Sequence, residues 1–381
     1  MKRLIIWSLV LSLLLCGCGG KKSYVPDDVV NTAPGAAEEP LGGTPGRIDV
    51  EETVAETLEE TTESATVPTE PEIFRNPLNG EILEAPFTGR VFANTVSNLQ
   101  DNLPHVGINH ADVVMEMYVN MNNVVRCLAL FTDIEAVDAI GSTRSTRPIF
   151  NDIAQHYDLV LSHAGGSDTA LADAAHRGID NFNIDSWAVA KEGASYRDTV
   201  YNRSYENSLF GVGSAIKAYA EAQGVAMELE KDYGFRFADE GTPAAGEAAD
   251  RISMTMVYGQ AKKDTSFVYN AEMDKYIWNQ YGMEMRDQIT DALEGFTNVV
   301  VMVADITNNG IYHAADFVAG GSGYYANGGK LIPILWACDD EDSAFRFLRE
   351  DGETLEMGAG NTYIAIVTPE SPVTWEAAAE G

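Results

Sequence analysis

Between Tyr24 and Phe74 the chain contains no aromatic residue. A domain core needs large apolar side chains. A stretch this long without them buries too little surface to offset the ordering entropy of its backbone. It is rich instead in Glu, Thr, Pro, Ala and Gly, as in Glu51-Glu52-Thr53 and Glu59-Glu60-Thr61-Thr62-Glu63. The composition predicts a disordered acidic tether over residues 18–72, extended by its own charge, with a short helix around Val50 to Leu58 as the alternative. Any folded body then begins at Ile73. From there to Pro372 the chain is long enough for two domains.

The residues before the tether read as an export signal. Lys2 and Arg3 give a short positive start, and Leu4 to Leu15 is an apolar run too short to span a bilayer as a helix. Leu15-Cys16-Gly17-Cys18 follows the lipobox pattern: an aliphatic residue, two small residues and a thiol that can carry diacylglycerol as a thioether. Residues 1–17 are therefore expected to be a lipoprotein signal peptide and Cys18 the lipidated residue. The expected location is extracytoplasmic, on the outer face of the cytoplasmic membrane. The formal charge of -33 argues against nucleic acid as a partner and against electrostatic adhesion to anionic lipid. The expected partners are the membrane, through the anchor, and a cell-envelope polymer or envelope protein. Outside the lipobox only Cys127 and Cys338 remain. A buried inert thiol is the default for Cys127, and an oxidising compartment would also permit a Cys127–Cys338 disulfide. With no CxxC or His–Cys cluster, no cofactor is evident.

Residues 73–227 alternate strand and helix. Asp112 to Tyr118 and Val124 to Thr132 read as a hairpin, Pro148 to Tyr157 as a helix, and Leu159 to His163 as a buried strand. Ser167 is placed to cap a helix that runs to Gly178, and Ser214 to Gln223 forms another that ends at Gly224. Strands alternating with helices predict a layered α/β domain. Residues 228–250 are polar and Gly/Ala-rich and read as a linker. Residues 251–372 read as a β-rich domain, with strands near Ser253 to Tyr258, Ser266 to Asn270, Tyr276 to Gln280, Asn298 to Asp305, Lys330 to Cys338, Ala344 to Arg349 and Thr362 to Val367. One helical stretch is expected near Arg286 to Leu293, and residues 373–381 form a tail.

The segment most suggestive of chemistry is Ile140 to Pro148. Arg144 and Arg147 lie three residues apart among the hydroxyls of Ser142, Thr143, Ser145 and Thr146, and a helix is expected to begin at Pro148. Guanidinium forks, hydroxyls and a helix N-terminus favour an oxyanion such as phosphate or carboxylate. Structural ion pairs for both arginines are the competing account in so acidic a chain. A second segment, His163 to Asp168, closes a strand and opens a helix. Gly165 and Gly166 would let a ligand approach the backbone, Ser167 adds a donor, and His163 is either a proton-transfer group, a ligand or a hydrogen-bonded structural residue. Were the two loops carried by neighbouring parallel strands, both helix starts would face one crevice. Arg197 and Arg203 add two further guanidiniums. Asp112, just before an apolar run, is a cation ligand or, more commonly, a turn residue. Ser214-Ala215-Ile216-Lys217 spells SxxK without the later KTG element, and no HExxH is present.

Asn76 to Gly80, Ala111 to Val114, Ile140 to Pro148, Tyr157 to Ser167 and Tyr196 to Leu209 resemble the N-terminal domain of YerB-like lipoproteins. Gly321 to Trp336 and Asp351 to Ile366 resemble the C-terminal domain of that family, which is paired domains of unknown function. Asn207, and Met285-Arg286 near Asp287, stand where that family often carries histidines, so a mechanism through those imidazoles is not implied. The order of Asp112, the arginine loop, His163-Ala164-Gly165-Gly166 and the later arginines is also distantly similar to LytR-CpsA-Psr enzymes. That similarity implies a phosphotransferase or hydrolase acting on an envelope polymer. Asp112 would lie on the side of a divalent cation, with Arg144 or Arg147 and Arg197 or Arg203 on a pyrophosphate. Three functions follow: an anion-binding envelope lipoprotein, such an enzyme, or a non-catalytic interaction scaffold.

Overall fold

Val113–Tyr118 and Val125–Phe131 are buried along their whole length, on both faces. Near-continuous apolar runs of this kind suit the centre of a sheet covered on two sides. They pair antiparallel as the expected hairpin, Val113 opposite Leu130 and Tyr118 opposite Val125. The computed structural model describes residues 73–378. The signal peptide, Cys18, the tether and the last three residues lie outside the described residues.

One mixed sheet runs through the body. In spatial order its strands are Glu247–Ala248, Lys330–Ala337, Gly321–Asn327, Asn298–Val303, Thr362–Val367, Val113–Tyr118, Val125–Phe131, Phe92–Ser97, Val160–His163 and Asn181–Asn183, with Arg346–Arg349 paired to Lys330–Ala337. The halves meet inside this sheet, where Thr362–Val367 lies parallel to Val113–Tyr118 on one side and to Asn298–Val303 on the other. The N-terminal half is thus mixed α/β and the C-terminal half β-rich, and backbone hydrogen bonds join them. Residues 228–250 also carry paired strands, Phe237–Ala238 against Met357–Gly358 and Glu247–Ala248 at the edge of the large sheet.

Each face of the sheet has its own core. On one face a second sheet, built on Arg251–Tyr258, Ala261–Asn270, Lys275–Gln280 and Val373–Glu376, brings Met254, Phe267 and Trp278 against Val114, Cys127 and Tyr363. On the other face helix α1 (Pro148–Tyr157) brings Ile149, Phe150, Ile153 and Tyr157 against Met115, Met117 and Leu128. Pro148 opens α1 as expected, after an extended Arg147. Helix α2 (Asp168–Arg177) begins at Ser167, whose Oγ accepts from the Ala170 amide at 3.1 Å, and ends at Gly178 with φ +71°. Among the described residues no helix is long and apolar enough to cross a membrane.

Two expectations are corrected. Arg286 to Leu293 is not helical. The Asp287 carboxylate accepts from the Ile289 and Thr290 amides at 3.0 and 2.9 Å and from the Thr290 hydroxyl at 3.0 Å. Such local side-chain bonds compete with a helix, and Arg286 instead bridges to Leu293. Cys127 and Cys338 are both free thiols. They belong to the cores on opposite faces of the sheet, so the backbone between them rules out a disulfide.

Candidate anion-binding site

The arginine loop and the glycine loop lie side by side. The Thr146 amide donates to the Gly165 carbonyl at 3.0 Å, and the Ala164 amide to the Arg144 carbonyl at 2.9 Å. The starts of α1 and α2 are therefore neighbours. The route differs from the expected pair of parallel strands. The arginine loop leaves Ile140–Gly141, which belongs to a separate three-stranded sheet with Leu209–Gly211 and Ser195–Arg197. It then crosses the strand Phe92–Ser97, where the Arg144 amide donates to the Thr95 carbonyl at 2.8 Å.

Three guanidiniums gather here. Arg126 projects from the central strand and is only 4% exposed. Its Nη1 donates to the Ser145 carbonyl, and its Nε has no partner. Burial first, then the Arg147 and Arg144 charges, push its pKa well below the ordinary arginine value. Arg147 is half-buried. Its Nη1 donates to the Thr146 carbonyl at 2.6 Å, its Nε is unpartnered, and its guanidinium lies 4.9 Å from the Tyr312 ring centroid. Its pKa is also lowered, by burial and then by Arg144, against an opposing influence from Tyr312. Arg144 donates to Asn207 Oδ1 at 2.9 Å and to the Glu206 carbonyl, and the exposed Glu206 carboxylate lies 3.5 Å away. Among the described residues neither Arg126 nor Arg147 has a carboxylate within ion-pair distance. In a chain this acidic, that is the anomaly. Arg144 and Ser145 also line a cleft of about 270 Å³ with Thr143, Arg197, Tyr205 and Asp185.

Other candidate residues are committed elsewhere. Ser142 is fully buried, donates to the Asn207 carbonyl and accepts from Arg203 Nη1 at 3.0 Å. Thr146 is fully buried, 3.4 Å from Asn151 Oδ1. Both His163 nitrogens are engaged, Nδ1 with the Gly165 carbonyl at 2.8 Å and Nε2 with Asn181 Oδ1 at 3.0 Å, and burial lowers its pKa. Ser167 caps α2. Gly165 needs its φ of +68° for the turn. A Cβ on Gly166 would come within 2.8 Å of Leu171 in α2 and 3.0 Å of Thr146 in the arginine loop, so packing explains that glycine. Arg197 pairs with both Asp185 oxygens at 2.6 and 2.8 Å and stacks on Tyr205. Arg203 bonds the Asn102 carbonyl at 2.5 Å and Gln288 Oε1 at 3.1 Å, a strut between the two halves.

Asp112 stands apart. Its carboxylate accepts from Asn79 Nδ2 at 2.6 Å, the Thr132 amide at 2.6 Å and the Thr132 hydroxyl at 2.7 Å. It precedes Val113, whereas Arg126 lies opposite Met117 at the far end of the hairpin. At ~3.3 Å per residue the two are roughly 16 Å apart along the strand. Among the described residues no group of three or more His, Cys, Asp or Glu is placed to hold a metal ion.

Sequence reasoning missed Arg126 and Tyr312. Arg126 sits in the run Val124 to Phe131 and reads as part of a core strand; a lone cation there was the available signal. Tyr312 arrives on the hairpin Ile306–Asn309 and Tyr312–Ala315, where the Met121 amide donates to the Ile311 carbonyl at 3.0 Å. Nothing local in the sequence forecasts that approach.

Fold and site together define a two-part α/β and β-rich protein with an uncompensated arginine cluster at the loops preceding α1 and α2. Residues 78–226 match the N-terminal domain, and residues 254–364 the C-terminal domain, of the family described as protein of unknown function (DUF3048). The chain belongs to that family. A crystal structure of the YerB protein from Bacillus subtilis is similar in fold, with a TM-score of 0.66 at 20% identity over 79% of this chain and 99% of that one. No curated protein sequence matches.

Proposed function

We propose that this chain is an extracytoplasmic lipoprotein, anchored through Cys18, that holds a phosphate- or carboxylate-bearing envelope ligand at Arg126, Arg144 and Arg147. One observation carries the reading: two of these guanidiniums, one of them buried, have no carboxylate partner among the described residues, although acids greatly outnumber bases in the chain. An unpaired buried charge is strongly unfavourable, so an anion from outside the chain would stabilise the cluster. Charge-assisted hydrogen bonds of about 1.5–3 kcal/mol each would supply the affinity.

Calorimetry with inorganic phosphate tests the site. The double variant Arg144→Ala/Arg147→Ala should bind at least about a hundredfold more weakly, since ~2.8 kcal/mol is two factors of ten. Its melting temperature without ligand should change little. Unchanged binding, or no binding by the wild type, would end the proposal. The anchor has its own test. Cys18→Ala should abolish palmitate labelling and release the protein from membranes, because that one residue carries the acyl chains. Labelling that persists in Cys18→Ala but is lost in Cys16→Ala would move the anchor.

A further inference from the structure

The anion-binding proposal leaves the ligand's chemistry open between carboxylate and phosphate. Resting on that reading, we infer that the group bound is a phosphate carrying two negative charges, a monoester or a diphosphate, and not a carboxylate. The charge balance points that way. Arg126, Arg144 and Arg147 bring three positive charges. Among the described residues the carboxylate that offsets them is Glu206, 3.5 Å from Arg144 and exposed. Arg126 and Arg147 are left over. A carboxylate would neutralise one and leave a buried cation behind, whereas a phosphate monoester, at roughly -1.5 to -2 near neutral pH, matches both.

The donors agree with the charges. Arg126 uses Nη1 on the Ser145 carbonyl, and Arg147 uses Nη1 on the Thr146 carbonyl. In each the Nε is buried without a partner, and among the described residues neither Nη2 has a hydrogen-bond partner, so each guanidinium has one side-on edge of two donors that these residues leave unused. A carboxylate has two oxygens and satisfies one such edge. A terminal phosphate has three free oxygens and can be shared between two edges. The arginine loop adds the Ser145 hydroxyl at its half-buried turn. The Tyr312 ring, delivered by the C-terminal half, flanks Arg147.

Ligand charge and site are separable in one experiment. The full chain is titrated calorimetrically with inorganic pyrophosphate, inorganic phosphate, dimethyl phosphate and acetate, alongside Arg126→Met and Arg147→Ala. Arg147 is half-buried, so its variant guards against misfolding of the first. Pyrophosphate and phosphate should bind at least tenfold more tightly than the monoanions dimethyl phosphate and acetate. Phosphate affinity should fall as pH drops from about 7.5 to about 5, because orthophosphate takes back its second proton within that range. Both variants should lose most of the binding. Acetate or dimethyl phosphate binding as well as phosphate would overturn the dianion while leaving the anion site standing. No anion binding to the wild type, or binding indifferent to both variants, would overturn the site itself. A last arm separates the sources of such a phosphate. Full-length Cys18→Ala is sedimented with phosphatidylcholine vesicles, with and without phosphatidic acid. Arg126-dependent sedimentation with phosphatidic acid assigns a lipid headgroup, and its absence beside pyrophosphate binding assigns a phosphate outside the bilayer.

Discussion

Lys263 and Arg126 are both buried cations, and the chain treats them in opposite ways. Lys263 is 5% exposed, and its Nζ lies 2.8 Å from Glu116 Oε1, with the Tyr281 and Trp278 rings at 5.3 and 5.9 Å. Glu116 is held in turn by Asn98 Nδ2 and by the Tyr363 hydroxyl. This ion pair ties the N-terminal hairpin to the C-terminal half, although the Lys263 Nζ makes no well-aligned hydrogen bond among the described residues. Arg126 is adjacent along the same hairpin yet reaches none of it. Glu116 lies opposite Cys127, whereas Arg126 lies opposite Met117. Alternation places Glu116 with Cys127 on the face covered by the second sheet, and Arg126 with Met117 on the face covered by α1. A one-residue offset thus separates a cation from the nearest buried acid. Lys263 has a buried acid beside it, whereas Arg126 has none among the described residues, and under the proposed function an anion from outside the chain would supply that charge.

The contrast can be broken at either end. The largest effect is expected at Lys263. Lys263→Met strands Glu116 in the core and should lower stability by about 3–5 kcal/mol, read from denaturant unfolding. A loss below about 1 kcal/mol would remove the distinction between the two cations. The double alanine variant of Arg144 and Arg147 comes next, with its affinity loss and unchanged stability.

His313, a third buried basic group, differs from both cations because burial favours its neutral form. His313 is fully buried, with Nδ1 3.0 Å from Asn308 Oδ1 and its ring against Tyr258, and burial lowers its pKa to about 4. The folded state therefore resists a proton that the unfolded chain accepts near pH 6.5. The stability this confers is complete above about pH 6.5 and is lost as pH falls through about 4. His313→Gln should remove about 1 kcal/mol of the acid-side loss near pH 5, measured as the difference between the two unfolding curves across that window. Parallel curves would contradict it. The smallest effect belongs to the partly exposed Arg197–Asp185 pair. Asp185→Asn should change stability by under about 1 kcal/mol and phosphate affinity by only a few-fold. A tenfold or larger change in affinity would mean that the paired arginine belongs to the site.

The legible parts of the fold were those set by local chemistry. Pro148 after an extended Arg147, Ser167 three residues before Ala170, and Gly178 in the left-handed region each fix a helix end within a few residues. The hairpin over Val113 to Phe131 follows from two apolar runs and a polar turn. The adjacency of the arginine and glycine loops also came through, though its route did not. What stayed hidden was long-range. Thr362–Val367 lies parallel to Val113–Tyr118 across nearly the whole body, and no local pattern specifies that partner. At 286–293 the Asp287 carboxylate outcompetes a plausible helical pattern. Arg126 was hidden because a strand position says nothing about which face its side chain takes until the register is known. Ser142, Thr146 and His163 looked available as donors, and burial against Asn207, Asn151 and Asn181 accounts for them instead.

If Arg126 is kept for a ligand, its removal should cost binding and not stability. Thermal unfolding of the full chain and of Arg126→Met, each titrated with inorganic pyrophosphate, tests it most directly. Ligand that binds only the native state raises Tm with concentration, so wild-type Tm should climb steadily. Without ligand Arg126→Met should melt at or above the wild type, because an unpaired buried charge has been replaced by an apolar side chain, and its Tm should not respond to pyrophosphate. A variant that melts several degrees lower without ligand, beside a wild type that pyrophosphate leaves unmoved, would make Arg126 a structural residue.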